Sequence, residues 1–178
     1  MKRNVIVGVL VCTLLLMLSA CDLLTFDAPP TLPSPTVRTD LTGRLIVFDQ
    51  FGLDAAEALE YENGKGFVPL KTAMLRQQIL PESYDPSLSP DGKWQITFDK
   101  TLNRFVVLDA VSQTQQFMFQ EYVVSLWQIA WSPDGRFLAY SAADQQGEWL
   151  GRIMVVDIHN NWMAALVGFG FTPRWLGK

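Results

Sequence analysis

From residue 43 onward, short apolar runs alternate with turn-forming clusters. The segment Trp94-Gln95-Ile96-Thr97-Phe98 alternates with a period of two, and residues 137–140 (Phe-Leu-Ala-Tyr) are rich in strand formers. Each run follows a Ser-Pro-Asp-Gly tetrapeptide, at residues 89–92 and again at 132–135. Proline presets the first corner of a turn, aspartate accepts from nearby backbone N–H groups, and glycine takes positive φ. Both tetrapeptides therefore predict hairpin tips.

The same order recurs further along. Residues 104–109 (Arg-Phe-Val-Val-Leu-Asp) match residues 152–157 (Arg-Ile-Met-Val-Val-Asp), and both lead into polar turns. Fourth strands are expected near residues 116–119 and 162–167. An earlier unit begins at Gly43, whose residues 43–48 align without a gap on 135–140. It continues through residues 58–62, an Asn63-Gly64 hairpin turn and residues 67–70. This unit lacks its first strand, and one orphan strand, residues 172–176, is left at the C-terminus. Ser89 and Ser132 lie 43 residues apart, and Trp131 and Trp175 lie 44 apart. A strand-rich period of about 40–50 residues, with four strands per unit, predicts propeller-type blades. The expected fold is all-β, with about three four-stranded antiparallel blades at residues 43–83, 84–125 and 126–171. Three arrangements fit that count. One is an open three-blade arc, and another is a tight three-blade ring. The third is a homodimer in which each copy donates residues 172–175 to the other's first blade.

The N-terminal 20 residues follow a different pattern. Lys2 and Arg3 precede an apolar run from Val5 to Met17, which Leu18-Ser19-Ala20-Cys21 closes. That is the layout of a secretory signal peptide, expected to be helical. Its 17 residues at 4–20 sit at the short end of the roughly 17–25 that a spanning helix needs. Leu-Ser-Ala-Cys resembles the lipobox of bacterial lipoproteins. The resemblance implies cleavage before Cys21, lipidation of that cysteine and anchoring at the extracytoplasmic face of a bacterial membrane. Cys12 and Cys21 are the two cysteines, so a processed chain would hold no disulfide.

Residues 22–42 are rich in proline and threonine and read as a spacer. Their 21 residues would reach roughly 65 Å at ~3.1 Å per residue in polyproline conformation. Removing residues 1–20 takes away two basic side chains and no acid, leaving 12 basic against 18 acidic. Such a balance, without a basic cluster, makes nucleic acid a poor partner. It also disfavours lying flat on anionic lipid.

The residues Pro-Ser-Leu-Ser-Pro-Asp-Gly-Lys at 86–93, Trp-Ser-Pro-Asp-Gly-Arg at 131–136 and the Val-Leu-Asp and Val-Val-Asp strand ends resemble TolB-type, WD-like propeller repeats. The resemblance covers residues 43–175. It implies a propeller-type module and is nearly silent about activity. Leu88 stands where such repeats usually carry tryptophan, and the last copy, Trp175-Leu176-Gly177-Lys178, lacks the turn motif.

Little in the chain points to catalysis. His159 is the sole histidine and falls in a polar turn. Asp91 and Asp134 occupy equivalent turn positions, and Asp109 and Asp157 end equivalent strands, where capping a turn suffices for both. No enzyme activity, cofactor or metal is expected, and the acids at Asp144 and Glu148 fall short of an oxygen cage. In a propeller, loops joining second to third strands share one end with the connections between blades. Here that end holds residues 49–56, 71–84, 99–103, 120–125 and 144–150. Its apolar tips Phe51, Tyr122 and Trp149 are the candidate partner contacts. The expected function is a lipid-anchored envelope module for protein–protein interaction, its partner another envelope protein. The alternatives are a small-ligand or glycan sensor with a central pocket, and a truncated propeller remnant.

Overall fold

A computed structural model describes residues 34–49, 57–70, 85–143 and 151–176. The signal segment, Cys21, Phe51 and Trp149 lie outside the described residues, as do residues 71–84. The described residues form eleven strands, two single-turn 3-10 segments and no α-helix. In chain order the strands are β1 (Arg44–Phe48), β2 (Ala58–Glu62), β3 (Gly66–Pro69), β4 (Trp94–Asp99), β5 (Arg104–Asp109) and β6 (Gln115–Met118). They continue with β7 (Ile129–Trp131), β8 (Phe137–Ala142), β9 (Arg152–Asp157), β10 (Met163–Phe169) and β11 (Phe171–Leu176).

The strands build three antiparallel sheets, ordered β11-β1-β2-β3, β4-β5-β6 and β10-β9-β8-β7. These are the first, second and third blades. The second has three strands, not four. Its inner position is held by a single bridge, Leu88 to Gln95, and by the Ile96 N–H donating to the Ser87 carbonyl at 2.7 Å. Pro86 has no N–H to give and Pro90 soon ends the segment, so no longer ladder forms there. The orphan strand pairs within its own chain: β11 runs against β1 from Arg44↔Leu176 to Phe48↔Phe171. It fills the inner seat that the first blade lacks.

The third blade is apolar on both faces. Successive side chains of a strand point to opposite faces, and every residue of β8 is buried. Leu138, Tyr140 and Ala142 join Met154, Val156 and Leu166 in a cluster with Ile96, Val107 and Phe119 of the second blade. Phe137 and Ala139 join Ile153, Val155 and Val167 in a second cluster with Leu45, Val47, Tyr61 and Trp175 of the first blade. Among the described residues no buried cluster joins the first blade to the second. The sequence order 1-2-3 is thus packed as 2-3-1. On their other sides the flanking blades differ: Gln95 is exposed on the second, whereas on the first Arg44 pairs with Glu60 at 2.7 Å beside the buried Ile46 and Phe48, which pack with Ala58, Leu70 and Leu176. Gly168 of β10 lets the first and third blades close up, because a Cβ there would lie 2.5 Å from the Phe67 ring.

Both Ser-Pro-Asp-Gly turns form, with one hydrogen-bond pattern. The serine hydroxyl donates to the aspartate at 2.7 Å (Ser89 to Asp91) and 2.6 Å (Ser132 to Asp134). The same hydroxyl oxygen accepts from the N–H of Trp94 at 2.9 Å and of Phe137 at 2.8 Å. Gly92 and Gly135 have φ of 72° and 70°, the conformation that favours glycine. Each turn also touches a neighbour. A Cβ on Gly135 would sit 3.7 Å from the Asp91 carboxyl carbon, and Thr42 donates to Asp134.

Part of the expected spacer is docked. Residues 36–42 form a strap whose backbone is engaged at Thr36, Arg38 and Leu41. The Thr36 N–H donates to the Leu166 carbonyl at 2.7 Å, and the Arg38 N–H to the Tyr61 hydroxyl at 2.6 Å. Leu41 enters the cluster between the first and third blades. Threonine and proline content signals an extended chain, but extended chain also lies readily along a blade seam when its polar groups find partners.

Arg38 carries the strap's main polar contact, and it revises the role expected of Asp157. Asp157 does not cap a turn. Only 3% exposed, it accepts from Arg136 at 3.0 Å and from Arg38 at 3.2 Å. Asp40 completes a quartet with the same two guanidinium groups, at 2.8 and 3.1 Å. Both guanidiniums lie over the Phe137 ring, 5.2 and 4.5 Å from its centre. Burial pushes the Asp157 carboxyl up, but its hydrogen bonds and charge pairing with Arg136, then Arg38, outweigh this and hold it below its ordinary value. The Arg38 hydrogen bond likewise lowers Asp40. A depressed carboxylate pKa contributes stability that is complete above the unfolded value of 3.8 and is lost as pH falls through the folded value. Asp157→Ala should cost about 1.5–3 kcal/mol at neutral pH, because two guanidiniums lose a charged hydrogen-bond acceptor. In urea titrations that cost should shrink below pH 3.8. A pH-independent cost would contradict the assignment.

Candidate functional site

The blades have two unlike ends. At one end lie the Ser-Pro-Asp-Gly turns and the tight turns before the outer strands. At the other lie the β4–β5 turn, the end of β8, the start of β9 and the link from the second blade to the third. The described large apolar side chains that stay exposed are distributed unevenly. Phe98, Leu102, Tyr122, Val124, Trp127 and Phe169 all fall at this second, loop end. Leu88, Val111 and Met163 fall at the turn end, and Val37 is on the strap.

The loop end is built by local hydrogen bonding. Asp99 Oδ1 accepts from the N–H groups of Thr101 at 2.7 Å and Leu102 at 3.0 Å, an Asx turn that ends β4. Asn103, at φ 52°, then reverses the chain into β5 and leaves Leu102 at the tip. The Arg104 guanidinium donates to the carbonyls of Phe119, at 3.1 Å, and Gln120. This ties the link between the second and third blades to the Leu102 hairpin. An open cleft of about 290 Å³ lies between them, lined by Leu102, Asn103, Arg104 and Tyr122.

Tyr122 is anchored through its backbone. It bridges to Ala143, whose N–H donates to the Tyr122 carbonyl at 2.9 Å. Its neighbour Glu121 accepts a hydrogen bond of 2.6 Å from Tyr140, a fully buried residue of β8. Burial, then the Glu121 charge, then this hydrogen bond push the Tyr140 phenol well above its ordinary pKa. It stays protonated and serves as a permanent donor. The rim is therefore fixed by the core, while its side-chain surface remains free for contact.

Of the expected contacts, Tyr122 stands on this rim; Phe51 and Trp149 fall outside the described residues. Leu102 and Trp127 belong to the same end and were not singled out by sequence. Their signal was present as apolar residues at strand termini next to polar turn formers. Trp127 is half exposed, whereas Trp131 is buried and donates its indole N–H to the Pro86 carbonyl at 2.8 Å. Trp94 and Trp162 pack edge to face at 5.1 Å in the seam between the second and third blades. His159 lies in the 3-10 turn Ile158–Asn160, away from the loop end. Asp91 and Asp134 are bound within their own turns. Among the described residues no group of three or more His, Cys, Asp or Glu is placed to hold a metal ion. The described residues at this end offer contact surface.

Two substitutions separate rim from support. Tyr122→Ala should leave stability within about 0.5 kcal/mol, as an exposed side chain. Tyr140→Phe should cost about 1–3 kcal/mol, because Glu121 loses its buried donor. Equal costs in thermal melts would contradict this division.

No family model matches the chain, and no curated protein matches it. Among solved structures it is similar to TolB from Acinetobacter baumannii, with 15% identity and a TM-score of 0.32 over 71% of this chain and 31% of that one. It is also similar to the dihydro-heme d1 dehydrogenase NirN in complex with DHE, with 18% identity and a TM-score of 0.31 over 81% of this chain and 28% of that one. The chain spans less than a third of the length of either. Similarity at that level carries no inference about activity, and the blade assignment rests on the strand pairing described above.

Proposed function

We propose that this chain is a non-enzymatic, lipid-anchored module of the bacterial envelope whose loop end binds another protein. The observation that carries the proposal is the gathering of Phe98, Leu102, Tyr122, Val124, Trp127 and Phe169 at one end of the blades. Exposed aromatic and aliphatic side chains are what a protein interface uses as anchors, and two of these, Leu102 and Tyr122, line the cleft. The support beneath them is rigid, so ordering them on binding costs little.

The anchor would be Cys21, on the lipobox resemblance of residues 18–21.

Photo-crosslinking residues placed singly at Leu102 and Trp127, and for comparison at Val111 and Met163, test the interface in living bacteria. Protein adducts of defined mass should form from the loop end and not from the turn end. Equal labelling at both ends, or none at Leu102 and Trp127, contradicts the proposal. Labelled palmitate should enter the native chain and not the Cys21→Ser variant. Incorporation into that variant would remove the anchor while leaving the interface test unaffected.

A further inference from the structure

The turn joining β2 to β3 carries Asn63 followed by Gly64, both exposed. Five asparagines occur in the chain (Asn4, Asn63, Asn103, Asn160 and Asn161), and Asn63 is the one that precedes glycine. Three hydrogen bonds fix this turn. The Lys65 N–H donates to the Glu62 carbonyl at 3.0 Å and closes it. The Gly64 N–H donates to the Arg38 carbonyl at 2.9 Å. The Asn63 Nδ2 donates to the Leu41 carbonyl at 3.0 Å. The last two partners both belong to the strap. The strap thus holds the two groups that would have to meet if the Asn63 side chain were to react with the backbone.

We propose that Asn63 is a site of spontaneous conversion to aspartate and isoaspartate, and that docking of strap residues 38–41 governs its rate. The Gly64 nitrogen gives up its proton and bonds to Asn63 Cγ. The Cγ–Nδ2 bond breaks and ammonia leaves with the proton, closing a five-membered imide. Water then opens either imide carbonyl, giving aspartate or its β-linked isomer. No oxidant or enzyme enters the balance. Glycine favours the step because no side chain crowds the attacking nitrogen. Around Gly64 the nearest atom to an added Cβ would be Thr39 Cγ2, 3.9 Å away.

The coupling runs both ways. While the strap is docked, Gly64 N–H is engaged with Arg38 and Asn63 Nδ2 with Leu41, so reaction requires local opening. Once Asn63 is an acid, the donor to the Leu41 carbonyl is gone. A carboxylate then faces a carbonyl oxygen, and the strap is held less well. The β-linked product also lengthens the backbone inside a tight hairpin turn, displacing the Glu62↔Gly66 pair that follows. The reaction therefore acts as a one-way, time-dependent release of the segment leading to the N-terminal region. This inference rests on the fold and not on the proposed binding function.

The test ages the purified full chain in mildly alkaline buffer and maps peptides for the amide-to-acid mass gain at each asparagine. Asn63 should convert faster than the other four, and faster again in urea. Arg38→Ala, which removes the strap's ion pairs but keeps its backbone, should speed conversion about fivefold or more through a larger open population. Asp40→Asn, which keeps the side-chain volume, should act in the same direction if Arg38→Ala folds poorly. Hydrogen exchange at the Thr36 and Arg38 amides, which donate to Leu166 and Tyr61, should be faster in aged than in fresh protein. The proposal is overturned by equal Asn63 rates in native buffer and urea, by no acceleration in the folded strap variants, or by unchanged strap exchange after conversion.

Discussion

The structure depends on one constraint: the third blade must be covered on both faces. Its strands β8 and β9 carry apolar side chains at odd and even positions alike, so neither face can meet water. Phe137, Ala139, Ile153 and Val155 need the first blade, and Leu138, Tyr140, Met154 and Val156 need the second. Burial of apolar area at ~25 cal/mol per Å² on both faces of this sheet favours packing against both neighbours. The second blade exposes Gln95 on its other side, and the first carries the Arg44–Glu60 pair beside a small buried cluster of its own, Ile46 and Phe48 with Ala58, Leu70 and Leu176. The three antiparallel blades make a small propeller-like fold in which the last repeat sits between the other two.

Polar contacts fix how the layers are set against one another. The serine and aspartate of each Ser-Pro-Asp-Gly turn satisfy their own backbone, and each aspartate then meets a neighbour: Asp91 lies against Gly135 of the third blade, and Asp134 accepts from Thr42 at the end of the strap. The strap adds the Arg38–Asp40–Arg136–Asp157 quartet across the same junction. The β11–β1 pairing supplies the remaining register. The loop end inherits its rigidity from this frame through Arg104 and the Tyr140–Glu121 hydrogen bond, which hold the backbone beneath Tyr122.

Sequence made the blades legible because their signals are local. Two turn tetrapeptides, period-two alternation at residues 94–98 and matched strand ends at 104–109 and 152–157 place β4, β5, β8 and β9 directly. The orphan strand at residues 172–176 was legible from counting. Long-range pairing of polar groups was not legible. Asp109 and Asp157 are equivalent by alignment, yet Asp109 caps its turn through the N–H groups of Val111 and Ser112, while Asp157 binds Arg38, 119 residues away. Docking of residues 36–42 was hidden for the same reason, since proline and threonine content describes the chain's conformation and not its neighbours. At the loop end, alternation marks which strand residues face a core. It does not tell which strand-end residues, such as Phe98 and Trp127, run past it into water.

The central claim is that the third blade is the slab on which both neighbours depend. Native-state hydrogen exchange tests it most directly, because amides that open only with global unfolding mark the last structure to be lost. The account predicts that the slowest amides lie in β8 and β9, with β4–β6 and β2–β3 exchanging through smaller, separate openings. Slowest exchange in the first or second blade, with β8 and β9 opening early, would contradict it.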